Sequence, residues 1–312
     1  MAEIEVSNLF KKLGGKVVLR DISFSIEEGD CFCLLGPNGA GKTTTLRILL
    51  GILRPDSGNV YVKGLDVYSH INEIRSMIGY LPENPFLYDR LSIWDNLEFY
   101  GKLYDVSSKE LKNRINMLLD MFELKDRVSD KVGTLSKGLR QRVALIRSLL
   151  HDPSILLLDQ PTSDLDPVMA KSIRDIIRSL NKEEGKTILV CTHNLNEAEE
   201  LCDKAAIINM GVLLGIGSIA DIKKNMISEH IFKISTLTPM TKYINLLKSL
   251  DYVVDFHIID DYNVYVKLRN RNDVSMVIER LVNNECKIFE VKFQEPKLED
   301  VFIKMVKENE VR

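Results

Sequence analysis

The amino-acid sequence predicts an α/β chain: a mostly parallel core sheet, an inserted helical subdomain, and a small α+β domain at the end. Three observations carry that prediction. A fully apolar run, Cys31 to Leu35, leads straight into the glycine-rich stretch from Gly36 to Thr44, as the first parallel strand of an α/β core does. Further apolar runs, Ile155 to Leu158, Thr187 to Cys191 and Ala205 to Ile208, are separated by helical stretches. Beyond about residue 228, short strands and amphipathic helices follow one another in the order βαββαβ, a ferredoxin-like succession, with a last helix appended.

The first 35 residues read as strand-like runs: Ile4–Val6, Val17–Leu19 and Ile22–Ile26, then a turn at Gly29 and the strand Cys31–Leu35. An amphipathic helix from Thr44 to Leu53 is expected next. Residues 84–150 show no strong strand signal; apolar spacing of three and four predicts helices over 93–103, 108–122 and 139–150. In the final domain, strands are expected at 230–235, 253–259, 264–268 and 287–293, with helices at 240–250, 273–283 and 298–307. Length agrees with two domains at roughly 150 residues each, and the pattern change divides them into 1–227 and 228–312.

With 45% hydrophobic and 28% charged residues, the composition suits a globular protein with a sizeable core. A net charge of -3 gives no global drive toward nucleic acid or anionic lipid. No run approaches the roughly 20 apolar residues of a spanning helix. The longest, Ala205 to Ile219, is interrupted by Asn209, Gly211, Gly215 and Gly217. The start, Met1 to Val6, alternates like a strand and does not read as a signal peptide. The expectation is a cytoplasmic chain without a nucleic-acid partner, reaching a membrane only through another protein. Of the five cysteines, Cys31 and Cys33 would share one strand face. No second pair completes a metal site, so buried reduced thiols are expected.

Gly36, Pro37, Asn38, Gly39, Ala40, Gly41, Lys42, Thr43 and Thr44 satisfy the phosphate-binding pattern G-x-x-x-x-G-K-S/T. Glycines allow backbone N–H groups to converge on phosphate oxygens, and a helix beginning near Lys42 aims its positive end at them. Lys42 supplies a charge for the β- and γ-phosphates, and Thr43 a hydroxyl for Mg²⁺. The apolar strand ending in Asp159 supplies the second magnesium group. Together these predict a P-loop NTPase.

Leu135–Arg142 is similar to the signature motif of ABC ATPases, Pro161–Pro167 to their D-loop, and Thr192–Asn194 to their switch histidine. The resemblance covers about residues 3–220 with every motif in order. It implies a RecA-like core with an antiparallel β-subdomain and an inserted helical subdomain. It further implies that Ser136 and Gly138 contact ATP held by a second copy, that Asp166 crosses the same interface, and that His193 senses the γ-phosphate. Two ATP molecules with Mg²⁺ would lie between two head-to-tail subunits, a homodimer working with a polytopic transmembrane permease. Such a chain would be peripheral on the inner face of the cell membrane. For Lys137 and Arg140, solvated helix-start charges and phosphate contact both stand.

Three positions depart from the family pattern. Where the family has a catalytic glutamate stands Gln160, whose amide is no base near neutral pH, so binding should survive and hydrolysis be severely slowed. Either the residue was introduced to trap the ATP-bound dimer, or it is native to a degenerate subunit; the intact neighbouring motifs favour the first. At the Q-loop, Glu83 replaces the usual glutamine and retains reach to Mg²⁺ or the attacking water. The adenine-stacking aromatic is absent, leaving Leu13 and Val18 for apolar contact with the base. Pro85–Tyr88 is a place for a membrane partner to dock or simple subdomain packing. The stretch Phe293–Phe302 resembles the tail of bacterial and archaeal drug-, antibiotic- and sodium-exporter ATPases, which favours export. A soluble ABC ATPase of translation or repair fits less well, since the chain carries one ATPase unit and no heptad run between loop and signature.

Overall fold

The computed structural model describes residues 2–104, 106–226, 230–294 and 297–310. In chain order the elements are β1 (Ala2–Leu13), β2 (Lys16–Glu27), β3 (Cys31–Leu35), α1 (Lys42–Leu49), β4 (Ser57–Val62), β5 (Leu65–Asp66), α2 (Ile71–Met77), β6 (Ile78–Leu81), α3 (Ile93–Gly101), α4 (Ser108–Met121), α5 (Lys137–Leu149), β7 (Ile155–Asp159), α6 (Pro167–Lys182), β8 (Thr187–Thr192), α7 (Leu195–Leu201), β9 (Lys204–Asn209), β10 (Val212–Ser218) and α8 (Ile219–Met226). Then come β11 (His230–Thr236), α9 (Ile244–Lys248), β12 (Val253–Asp260), β13 (Asn263–Leu268), α10 (Val274–Asn283), β14 (Ile288–Phe293) and α11 (Leu298–Glu310).

The chain divides into two compact units, Met1–Ile222 with Met305–Arg312, and Lys223–Lys304. The expected junction between 227 and 228 lies outside the described residues, as do Glu295 and Pro296 of the C-terminal motif.

In the first unit a six-stranded sheet runs β10-β9-β3-β8-β7-β6. Its strands from β9 to β6 are parallel, and β10 closes the edge antiparallel to β9. Every residue of β3, β7 and β8 is buried, which is why these strands read as continuous apolar runs instead of alternating ones. Beside this sheet stands an antiparallel one, β2-β1-β4-β5. The runs Val17–Leu19 and Ile22–Ile26 are one strand, β2. The pairing with β1 is broken by register shifts, and Asn8 and Asp21 take positive φ of 51° and 55°, bulges that interrupt the alternation.

The helices begin where local chemistry provides a cap. Ser92 Oγ accepts from the Asp95 N–H ahead of α3. Ser107 and Glu110 form a capping box at α4. Two boundaries differ from expectation. Helix α1 starts at Lys42 and stops at Leu49, short of Leu53, two residues before Gly51. Helix α5 starts at Lys137, so Ser136 is its N-cap, with extended ψ of 160° and Oγ accepting from the Leu139 N–H.

The second unit is a four-stranded antiparallel sheet ordered β12-β13-β11-β14. The α helices α9 and α10 complete the βαββαβ succession of a ferredoxin-like arrangement. The first expected helix there is split: residues 240–243 form a 3₁₀ turn and only Ile244–Lys248 is α-helical. Phe232, Ile234, Val264, Val266, Val277 and Leu281 are its buried centre.

Candidate nucleotide site

Four adjacent parallel strands, β3, β8, β7 and β6, end on the same edge of the sheet, the carboxyl edge where α/β folds place their ligands. From β3 issues the loop Gly36–Gly41, from β8 His193, from β7 Asp159 and Gln160, and from β6 Glu83. The end of β8 ties the first three together. The Gly36 N–H donates to the Thr192 carbonyl at 3.1 Å, and the Gln160 N–H to the Cys191 carbonyl at 2.8 Å.

The glycines are required by geometry. A Cβ on Gly36 would collide with the backbone carbonyl of Ile208, and Gly41 takes φ 113° as the residue preceding α1. Lys42, only 4% exposed, donates from Nζ to the carbonyls of Gly36 (2.6 Å) and Pro37 (2.9 Å). Burial lowers its ammonium pKa from the usual lysine range, opposed by the nearby Asp159 carboxylate.

Thr43 Oγ1 donates to Asp159 Oδ2 at 2.9 Å, while Asp159 Oδ1 is buried with no partner among the described residues. Desolvation raises the Asp159 pKa, the Thr43 bond opposes the rise, and Glu83 adds to it. A buried, unmatched carboxylate oxygen beside a hydroxyl is a donor set that fits Mg²⁺. Among the described residues no three His, Cys, Asp or Glu side chains converge as a metal cluster. A magnesium ion that keeps waters and takes phosphate oxygens needs none.

Gln160 is buried, at φ 50°. A non-glycine side chain held in the left-handed region at a strand exit marks a constrained position. It lines two adjoining clefts. One, of about 380 Å³, is bounded by Val18, Asn38, Gly39, the segment from Gly41 to Thr44, and Glu83. The other, of about 630 Å³, is bounded by Glu83, Thr162, His193 and Glu197 among others. A third cleft of about 410 Å³, around Met121, Arg142 and Ser172, lies away from all these residues.

The structure therefore brings together the loop, Val18, Glu83, Asp159, Gln160 and His193. Leu13, 40% exposed at the end of β1, does not line the loop's cleft. Ser136, Gly138 and Asp166 line neither cleft. Asp166 instead caps α6, its Oδ1 accepting from the N–H groups of Val168 (3.1 Å) and Met169 (3.0 Å). Lys137 and Arg140 are ion-paired within the chain, with Asp164 at 2.8 Å and Asp89 at 2.7 Å.

One group was not read from the sequence. Glu197, buried on α7, accepts from Thr162 Oγ1 at 2.5 Å, so it joins the loop after Gln160 to the helix after His193. Burial raises its carboxyl pKa, opposed by hydrogen bonds from Thr162 and Thr192. The available signal was its place beside Ala198 and Leu201 on the buried face of that helix. The cysteines are buried and reduced, with Cys31 Sγ 3.5 Å from Cys202 Sγ.

Residues 19–163 match the ABC transporter family. The ABC transporter ATP-binding protein YhcH of Bacillus subtilis (strain 168) is 35% identical over 98% of this chain and 96% of its own length. The linearmycin resistance ATP-binding protein LnrL of the same organism is 30% identical over 97% of each. The Nod factor export ATP-binding protein I of Burkholderia lata is 38% identical over 70% of this chain and 71% of its own. Among solved structures, an ATP-binding subunit of an ABC transporter superposes with a TM-score of 0.65 at 31% identity, covering 71% of this chain and 92% of its own. A dimeric ATP-binding cassette in a post-hydrolysis state with ADP and Pi gives 0.63 at 30% identity, covering 69% and 98%. With its phosphate loop, Asp159 and His193 gathered on one sheet edge, the chain belongs to the ATP-binding proteins of ABC transporters.

Proposed function

We propose that two copies of this chain close head to tail over two Mg-ATP molecules and that this closure powers export through a separate polytopic membrane protein. The observation that carries the reading is a division of the motifs. The phosphate loop, Gln160 and His193 line one pair of clefts and Asp159 is bonded to the loop's Thr43, whereas Ser136 and Gly138, the signature residues, line neither cleft. A site whose remaining contacts lie elsewhere on the same chain is completed by a second copy.

In that arrangement the loop N–H groups and Lys42 hold the β- and γ-phosphates, and Val18 takes apolar contact with the base. Thr43 and Asp159, with Glu83 near, would hold Mg²⁺. When bound, the ion neutralises charge on the phosphates. Ser136 and the N-terminus of α5 meet the γ-phosphate from the opposite subunit, and His193 hydrogen-bonds it from the same one. Loss of the γ-phosphate removes the bridge between subunits, which is how hydrolysis reopens the pair.

Gln160 can orient a water but cannot take its proton, so turnover is slow and the closed state persists. Intact Lys42, Ser136, Gly138, Asp166 and His193 favour a replacement confined to this position. Gln160 alone favours the second reading, a degenerate regulatory subunit that binds without turning over. Export is favoured by the motif around Leu298–Phe302 and by relatives whose names denote linearmycin resistance and Nod factor export. Exposed Phe86 and Tyr88 offer a membrane partner an apolar contact. Among the described residues no helix is long and apolar enough to cross a membrane, which accords with a separate permease.

Sedimentation with saturating Mg-ATP tests the reading. The chain is expected to run as a dimer, Lys42→Ala as a monomer, and Ser136→Ala as a weakened dimer. A chain that stays monomeric with ATP bound overturns it.

A further inference from the structure

The side chain of His193 is exposed and makes no hydrogen bond or ion pair among the described residues, so its place in the larger cleft is set by the backbone on either side. That backbone is closed into a short turn. The Asn194 N–H donates to Thr192 Oγ1 at 3.0 Å, and Asn194 Oδ1 accepts from the N–H groups of Asn196 (3.0 Å) and Glu197 (3.2 Å). The Thr192 hydroxyl in turn bonds the Glu197 carboxylate. The residues on both sides of the histidine are thus tied to Glu197, one through its side chain and the other through its backbone. The same carboxylate reaches a second loop: Thr162, two residues after Gln160, donates from Oγ1 to Glu197 Oε1 at 2.5 Å.

Packing alone does not call for a carboxylate at this place. Glu197 is 2% exposed, and a charge shut away from water is costly unless matched. Yet among the described residues it makes no ion pair, and Arg174, whose charge reaches it, is bonded to Glu200 at 2.6 Å. Its partners are two hydroxyls, one at the end of β8 and one just beyond the end of β7. A buried polar group matched in this way fixes one arrangement of the segments that bond it. Here those segments carry Gln160 and His193, which line the same cleft.

We propose that Glu197 is a positioning residue for His193: it holds the turn 192–197 so that the ring meets a γ-phosphate, in fixed relation to the loop that follows Gln160. The inference rests on the ATP-binding reading above, in which His193 bonds the γ-phosphate. Glu197 touches no nucleotide and acts through His193. Without its carboxylate, the turn loses both the anchor of Thr192 and the tie to Thr162, and His193 is no longer held in place.

The test is the ratio of Mg-ATP to Mg-ADP affinity, measured by calorimetry on the full-length chain and its variants, with thermal melts alongside. ADP lacks the γ-phosphate, so the ratio reports the contacts made to that phosphate. His193→Ala should lower the ratio roughly tenfold, the worth of one hydrogen bond to a charged group. Glu197→Ala should lower it nearly as much with ADP affinity unchanged, and Thr162→Val, which cuts one of the two ties, should lower it less. Glu197→Gln keeps an acceptor oxygen and should retain the ratio. On the His193→Ala background Glu197→Ala should cost nothing further, because two residues acting through one contact are not additive. A lower melting temperature with an unchanged ratio in Glu197→Ala, or losses that add in the double variant, would assign Glu197 to packing and overturn the proposal. Should Glu197→Ala fail to fold, an unchanged ratio in Thr162→Val overturns it as well. A ratio untouched by His193→Ala would overturn the functional reading at His193, and the proposal with it.

Discussion

The two sheets that anchor this protein differ in what they bury. In the first unit β3, β7 and β8 are closed to solvent along their whole length, and around their ends the chain also buries Lys42, Asp159, Gln160 and Glu197. In the second unit β11 and β13 alternate between buried and partly buried residues, β12 and β14 between partly buried and exposed ones, and among the described residues Thr236 is the one buried polar side chain. Burying a charge is costly unless it is matched. The first unit buries Glu3, Arg142 and Lys186 in ion pairs elsewhere, and at the carboxyl edge of its parallel sheet it leaves Asp159 Oδ1 without a partner among the described residues. The second unit has the economy of a scaffold.

Substitutions can sharpen that contrast or break it. The largest expected effect is on the closed sheet. Leu157→Ala removes a fully buried side chain, and chemical denaturation should show a loss of roughly 2–5 kcal/mol. Lys42→Ala should leave the fold standing yet weaken ATP binding roughly 10²-fold in calorimetry, the ~3 kcal/mol of a lost charged hydrogen bond.

A smaller effect depends on pH. His151 stacks on Tyr104 with ring centroids 3.9 Å apart, and its Nε2 lies 3.1 Å from the Ile78 carbonyl. Burial lowers its pKa; Asp152 opposes the shift, and Lys186 and Arg114 add to it. The unfolded chain therefore takes up a proton at this site more readily than the folded one. The contribution is fully present above the unfolded value, near 6.5, and is lost as pH falls through the window below it. Urea melts at pH 7.5 and 5.5 should show a smaller acid loss for His151→Phe than for the unaltered chain. The smallest effect belongs to the scaffold surface: Ile259→Ser, at an exposed position of β12, should change stability by no more than about 0.5 kcal/mol.

Much of the nucleotide site is legible in the sequence because its parts lie on short apolar strands that end in the functional residue. Lys42, Thr43 and Asp159 follow from that pattern, and the Thr43–Asp159 bond joins two of them. The contact between Thr162 and Glu197 is not legible, because it spans 35 residues and depends on how two loops and a helix converge. Strands β4 and β6 escaped notice for a simpler reason: at six and four residues, with Gly58 and Gly79 inside them, they carry too little periodicity. The family resemblance sets Leu13 near the base, where an aromatic is usual, but β1 carries it to an exposed strand end that does not line the loop's cleft. Exposed Asp166 holds the first turn of α6 within one chain, and its place at an interface rests on the family resemblance.

We propose that this chain holds ATP through its phosphate loop, Lys42 and Asp159 while Gln160 limits its turnover. Steady-state hydrolysis by Gln160→Glu beside the unaltered chain, with ATP affinity measured on both, tests it most directly. The account predicts kcat higher by roughly 10²–10⁴-fold with affinity changed by no more than about twofold. Equal kcat in the two chains would contradict it.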